Sequence, residues 1–269
     1  MSASDIVGEA LTLSWPEPRI ALATFTRAGE MNTLSLALIR ELNAALDIAT
    51  AEKARALILT GSGRAFCCGA HIRYFTDADP PIGSAPTQVR DNYLAPIAEL
   101  YDRLEVTRFP VIAAINGYAL GGGCEMAISC DFRLLSTEAI VGLPETRIGA
   151  TPGAGGVQKL HRLIGRGRAM DWILLGRHVK AAEALEAGFA TALHAPEGLL
   201  PAALALARTI IGLSPMAIAQ AKTSVTVCGD LDLASARRFG LESLTTLIGG
   251  PDWVEGMGAF REKRPPKFA

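Results

Sequence analysis

The chain has 269 residues, of which 49% are hydrophobic and 20% charged, a globular composition long enough for one large domain or one domain and an appendage. Lys and Arg total 26 against 27 Asp and Glu, a formal net charge of -1, so no global field draws nucleic acid or an anionic membrane to it. Five cysteines are too few for a disulfide scaffold and show no paired zinc spacing, and His71, His161, His178 and His194 make no metal-binding pattern.

Met1 to Trp15 holds Asp5 and Glu9 and no long apolar run, unlike a secretory or transit signal. No stretch is apolar enough to span a bilayer, so the expected location is the cytoplasm. Leu11 to Trp15 and Ile20 to Phe25 read as strands parted by a turn at Pro16-Glu17-Pro18. Ser35 to Ala51 reads as a helix, with Leu38, Leu42, Ala45, Leu46 and Ala49 at helical spacing. Ala56 to Leu59 is a short buried strand closed by Gly61-Ser62-Gly63, Asp77 to Pro86 a loop, and Val89 to Val106 a long amphipathic helix. Val111 to Ile115 is a strand, Cys124 to Cys130 a helix, and Phe132 to Ser136 and Ala139 to Val141 further strands. From Gly155 the pattern is mostly helical: Gly155 to Leu163, Arg168 to Leu175, Ala181 to Ala187, Leu199 to Ile211, Pro215 to Val225 and Leu231 to Ile248. The order predicts an α/β core followed by a helical C-terminal part.

Four segments carry possible chemistry. They are Arg64-Ala65-Phe66-Cys67-Cys68-Gly69-Ala70-His71; Asn116-Gly117-Tyr118-Ala119-Leu120-Gly121-Gly122-Gly123-Cys124-Glu125; Leu143-Pro144-Glu145 with Gly149 to Gly156; and Glu255 to Arg264. Taken singly, the first is a turn, the glycine run a hinge or packing point, the Pro-Glu pair a helix start and the basic tail a solvated end. The glycine run also fits a helix N-terminus, whose free N–H groups favour an anion, with Glu125 close by for acid/base work. It lacks the GxGxxG spacing of a dinucleotide site.

Taken together and in this order, the segments resemble the enoyl-CoA hydratase/isomerase (crotonase) superfamily, over about Leu11 to Phe268. Arg27-Ala28-Gly29-Glu30-Met31-Asn32-Thr33-Leu34 is similar to the family's RPxxxNAL stretch, with Ala28 in place of proline. The resemblance implies a spiral of ββα units over residues 1–195 carrying the CoA and catalytic site, and a helical trimerisation part over 196–269, with trimers often pairing into hexamers. It implies that backbone N–H groups of Ala70 and Gly122 form an oxyanion hole and that Glu125 and Glu145 are the two catalytic glutamates. Met31, Cys68, Ala70, His71, Ile72, Gly122, Phe260 and Lys263 fall at acyl-CoA-binding positions, the last two often reached across a subunit boundary, and Gly153 falls near the catalytic water. No metal and no separate cofactor is implied, since coenzyme A is part of the substrate; the partners are an acyl-CoA and further copies of the chain, not nucleic acid or membrane. The family setting is fatty-acid β-oxidation.

Hydration of a 2-enoyl thioester adds water at C3 and a proton at C2 while charge builds on the thioester oxygen. Two N–H donors stabilise that oxygen, and one ionised and one protonated carboxyl handle the water and the proton. Members that only shift double bonds often keep the Glu145-type residue and lose its partner, so the pair favours a hydratase. The alternatives are an isomerase, a CoA-ester hydrolase or a specialised dehydratase on the same fold, and, from another class, a non-catalytic acyl-CoA- or RNA-binding member. His71 stands where the family usually has Asp, either as a tolerated change at the pocket rim or as a determinant of CoA or acyl recognition.

Overall fold

Three times along the chain a longer strand is followed after a short break by a shorter strand and then by helical structure, and the two strands of each pair join different sheets. The computed structural model describes residues 5–268. Its strands are β1 (Ile6–Val7), β2 (Leu11–Glu17), β3 (Ile20–Phe25), β4 (Ala56–Gly61), β5 (Ala65–Cys67), β6 (Val111–Ile115), β7 (Tyr118–Leu120), β8 (Phe132–Ser136), β9 (Ile140–Gly142), β10 (Val179–Lys180) and β11 (Ala192–His194). The larger sheet has the order β1-β2-β3-β4-β6-β8-β11 and the smaller β10-β9-β7-β5. Pairing is parallel from β3 to β11 and from β5 to β9, and antiparallel at β1-β2-β3 and β9-β10. This is the spiral of ββα units that the sequence implied.

Ala56 to Leu59 of β4 and all of β6 are apolar because both faces are covered. Leu57, Leu59, Val111, Ala113 and Ile115 point into the core shared with the smaller sheet and the helix Leu36–Ala51. Ala56, Ile58, Ile112 and Ala114 meet Leu199, Ala203, Ala207 and Ile210 of the helix Pro196–Ile211 on the other face. Burying Leu199 or Ile210 there stabilises by about 1.5–3 kcal/mol each. The helix Leu36–Ala51 starts at the expected place: Ser35 caps it, its Oγ accepting from Leu38 N at 3.1 Å.

Several elements differ from the sequence reading. β2 continues through Pro16 to Glu17, with a register irregularity between Ser14 and Glu17 that accommodates the proline; the turn shrinks to Pro18-Arg19. The helix expected over Val89 to Val106 begins at Pro86 and carries a π-helical turn, Arg90–Leu94, before Ala95–Val106. β5 and β7 are strands the sequence reading did not assign, since each has only three residues, beside the turns expected at Cys67 to Ala70 and at Asn116-Gly117. The basic tail is a helix, Pro251–Glu262.

The helix Pro215–Cys228 is held to the spiral by an unusual anchor. Lys222 is its one buried residue; its Nζ pairs with Asp131 Oδ2 at 2.7 Å and reaches Leu104 O, Thr107 Oγ1 and Phe109 O at 3.0, 2.8 and 3.2 Å. Among the described residues no single helix is long and apolar enough to cross a membrane.

Candidate active site

The ends of β5, β7 and β9 deliver the three central motifs to one place. After β5, Gly69 adopts φ +77°, and its carbonyl accepts from Leu34 N at 2.8 Å, so Ala70 lies in a parallel bridge with Leu34. A Cβ on Gly69 would lie 2.7 Å from Leu120 O and 2.9 Å from Gly122 N, so the Ala70 and Gly122 segments touch backbone to backbone. After β7, Gly121 turns the chain at φ 54°, ψ -127° into the helix Gly122–Ile128. That helix starts at Gly122, two residues before the expected start at Cys124, which places Gly122 N–H in its first turn. Tyr101 Oη donates to Gly122 O at 2.5 Å and pins this turn. Neither Ala70 N–H nor Gly122 N–H donates to a backbone acceptor among the described residues.

Glu125 is 4% exposed. Its Oε1 accepts from Ala154 N at 2.9 Å and Gly156 N at 2.8 Å. Burial pushes its carboxyl above the ordinary range, while those two N–H groups and the Lys159 charge pull it back. Lys159 Nζ is itself held 2.6 Å from Glu105 Oε1. Glu145 follows β9 at the start of a 3-10 turn, Glu145–Ile148. Its Oε1 is 3.0 Å from where a Cβ on Gly121 would stand, and its Oε2 is buried without a hydrogen-bond partner. Burial, and then the Glu125 charge, raise its pKa to about 7. The buried Cys124 thiol is pushed up mainly by burial, and both glutamate charges add to that shift. The two carboxyls therefore share one electrostatic environment, with Glu125 favoured as the anion by its donors and Glu145 poised near neutrality.

Of the residues expected to touch the acyl-CoA, Met31 and Cys68 are brought together: Met31 O accepts from Cys68 N at 3.1 Å. Met31 and Asn32 both sit at left-handed φ, held by Asn32 Nδ2 donating to Ser62 O and Ala65 O at 3.0 and 2.7 Å. His71 is locked rather than loose at the rim. Its Nδ1 is 2.8 Å from Thr33 Oγ1 and 3.9 Å from Glu30 Oε2, its ring lies 4.6 Å from that of Tyr74, and its N–H donates to Tyr93 Oη at 2.8 Å. Ile72 is half exposed beside it. Phe260 and Lys263 stand apart: Phe260 is 84% exposed, Lys263 ends the last helix, and no hydrogen bond joins either to the segments above among the described residues. The sequence reading missed Tyr93, Tyr101, Ala154 and Gly156. Gly153 was singled out from the 149–156 run, yet it is exposed and its neighbours hold Glu125. The run itself was the signal; which N–H groups point at the carboxylate depends on the loop's path.

The spiral and its paired carboxyls define a class, and comparison with known proteins identifies it. The profile of the enoyl-CoA hydratase/isomerase family matches residues 17–269. A probable enoyl-CoA hydratase of Rhizobium meliloti (strain 1021) is 40% identical over 251 residues, 93% of this chain and 94% of that protein. A short-chain-enoyl-CoA hydratase of Clostridium acetobutylicum is 34% identical over 250 residues, 92% and 93% of the two chains. The crystal structure of an enoyl-CoA hydratase from Bacillus anthracis superposes with a TM-score of 0.89 at 36% identity, covering 97% of this chain and 99% of that one. The chain belongs to the enoyl-CoA hydratase/isomerase family.

Proposed function

We propose that the protein is a hydro-lyase that adds water across the 2,3 double bond of a 2-enoyl-CoA thioester. The observation that carries this reading is the pair of neighbouring carboxyls, buried Glu125 with two N–H donors and half-buried Glu145 with a pKa near 7. Glu125, as carboxylate, takes a proton from water as its oxygen bonds to C3. Glu145, as carboxylic acid, gives a proton to C2. The Ala70 and Gly122 N–H groups hold the negative charge that builds on the thioester oxygen between these events. Proton exchange with solvent then restores both carboxyls. No step calls for a metal or a redox cofactor.

Met31, Cys68, Ala70, His71, Ile72 and Gly122 are the residues of this chain that approach the acyl-CoA in this reading. Phe260 and Lys263 serve the site of a neighbouring copy in a homotrimer or hexamer, in keeping with the exposure of Phe260 and the place of Lys263 at the end of the last helix. The five cysteines are unpaired thiols, as a reducing compartment keeps them, and the proposed location is the cytoplasm.

Glu125→Gln and Glu145→Gln are each expected to lower the kcat for crotonyl-CoA hydration by about 10²–10⁴-fold, followed as loss of the conjugated-thioester absorbance. Near-wild-type hydration by either variant would remove the two-glutamate assignment. One observation favours a second reading, double-bond isomerisation: Glu145 alone has an unpartnered oxygen and a near-neutral pKa, which suffices to carry a proton between two carbons. Product analysis with 2-enoyl- and 3-enoyl-CoA separates the two.

A further inference from the structure

A basic concavity that shares no residue with the glutamate site opens at the N-terminal ends of β3, β4 and β6. Its volume is about 560 Å³, within the range of small-molecule sites. Arg19 precedes β3, Arg55 precedes β4, and Phe109-Pro110 precede β6; Lys53, Arg103 and Arg108 complete its charged lining, which contains no Asp or Glu. Arg103 is neutralised by Asp47. Arg19, Lys53, Arg55 and Arg108 form no ion pair among the described residues.

Arg55 is the most enclosed of these cations. Arg55 is 9% exposed, and its guanidinium is satisfied by one protein acceptor, Leu213 O. Burial and the like charge of Arg19 hold it below the ordinary arginine range, with Asp252 acting the other way. Arg19 and Lys53 stand at φ 67° and 56° because Arg19 is the second residue of the two-residue β2–β3 turn and Lys53 follows the C-terminus of the helix Leu36–Ala51. Four cations without a salt-bridge partner among the described residues thus converge on one cavity. The opposite wall is apolar: Val106 and Met216 are exposed there, beside Phe109 and Ile218.

We propose that this concavity binds a small organic polyphosphate of the nucleoside diphosphate class, with phosphates on Arg19, Lys53, Arg55 and Arg108 and its apolar body against Val106, Phe109 and Met216. Arginine forks match phosphate oxygens in pairs, four cations in one cavity suit a multivalent anion, and a volume of about 560 Å³ suits a small molecule.

The test is calorimetric titration of ADP into the full chain, with an excess of coenzyme A present to occupy the glutamate site. Saturable binding is expected in the wild type, with a Kd at least about tenfold weaker in the exposed triple variant Arg19→Gln/Lys53→Gln/Arg108→Gln. The charge-conserving Arg19→Lys/Lys53→Arg variant is expected to keep the wild-type Kd, and circular dichroism melts show that each variant is folded. Absence of ADP binding under coenzyme A, or an unchanged Kd in the folded triple variant, overturns the site. Pyrophosphate binding as tightly as ADP overturns the assignment to an organic phosphate. Neither result bears on the two-glutamate reading, because no residue is shared.

Discussion

Glu145 holds its proton in the folded chain at a pH where the unfolded chain has already released it. Its folded pKa, about 7, lies above the ordinary value of 4.5. Below the ordinary value the carboxyl is protonated in both states and nothing is lost. As pH rises from there through about 7 the unfolded state gives up its proton first, and stability falls until the folded carboxyl also ionises. Glu145→Gln removes that loss. The variant is therefore expected to melt near the wild type in acid and above it at about pH 8, by about 1–2 kcal/mol once solvent screening of this half-buried group is discounted. Paired thermal melts across that range check it; a constant offset would mean that Glu145 is not the titrating group. The same variant is expected to lose hydration, in which case a group kept for chemistry is one the fold would be more stable without.

At the scale of elements, the stacked motifs leave no room between turns of the spiral. A Cβ on Gly123 would lie 1.9 Å from Cys67 O, a backbone atom that cannot rotate away. Gly123→Ala is expected to destabilise by on the order of 3 kcal/mol or more, whereas Gly258→Ala, inside the last helix with nothing within 4 Å, is expected to stabilise by up to about 1 kcal/mol. Chemical denaturation of the two variants makes the comparison. These contacts also show what the sequence could and could not reveal. Leu36–Ala51 and Val111–Ile115 were legible because apolar spacing and a Ser cap, or an unbroken apolar run, are local signals. Residues Glu125, Glu145, Ala70 and Gly122 were legible as motifs through their joint order along the chain. β5 and β7 were not, because three-residue strands owe their existence to neighbours distant in sequence. Nor were Tyr93 and Tyr101, whose hydroxyls bond backbone of the His71 and Gly122 segments: nothing local distinguishes them from core aromatics.

At the scale of the whole molecule, the C-terminal helices carry apolar side chains that their own chain does not cover. Leu233, Leu241, Leu244, Ile248, Val254, Met257 and Phe260 are between 49% and 84% exposed, more than a stable monomer ordinarily leaves open on one lobe. Multi-angle light scattering is expected to find a trimer or hexamer; a stable monomer at micromolar concentration would count against the assembly and against the cross-subunit role of Phe260 and Lys263. Within one copy, the helix 215–228 has Lys222 as its single buried residue, and it leads from the spiral through Gly212-Leu213-Ser214. Besides Lys222, Ile218 packs on the core around the helix Pro196–Ile211 and Asp230, just past the helix, pairs with Arg162 at 2.6 Å, a small set of ties that marks a unit with a low opening free energy. Its amides are therefore expected to exchange with solvent ahead of those in β4 and β6 in a hydrogen-exchange measurement, and each opening would strip Asp131 of the Lys222 charge. Assembly into the proposed trimer or hexamer would cover this lobe, so the concentration of the protein's own copies would set how often it opens.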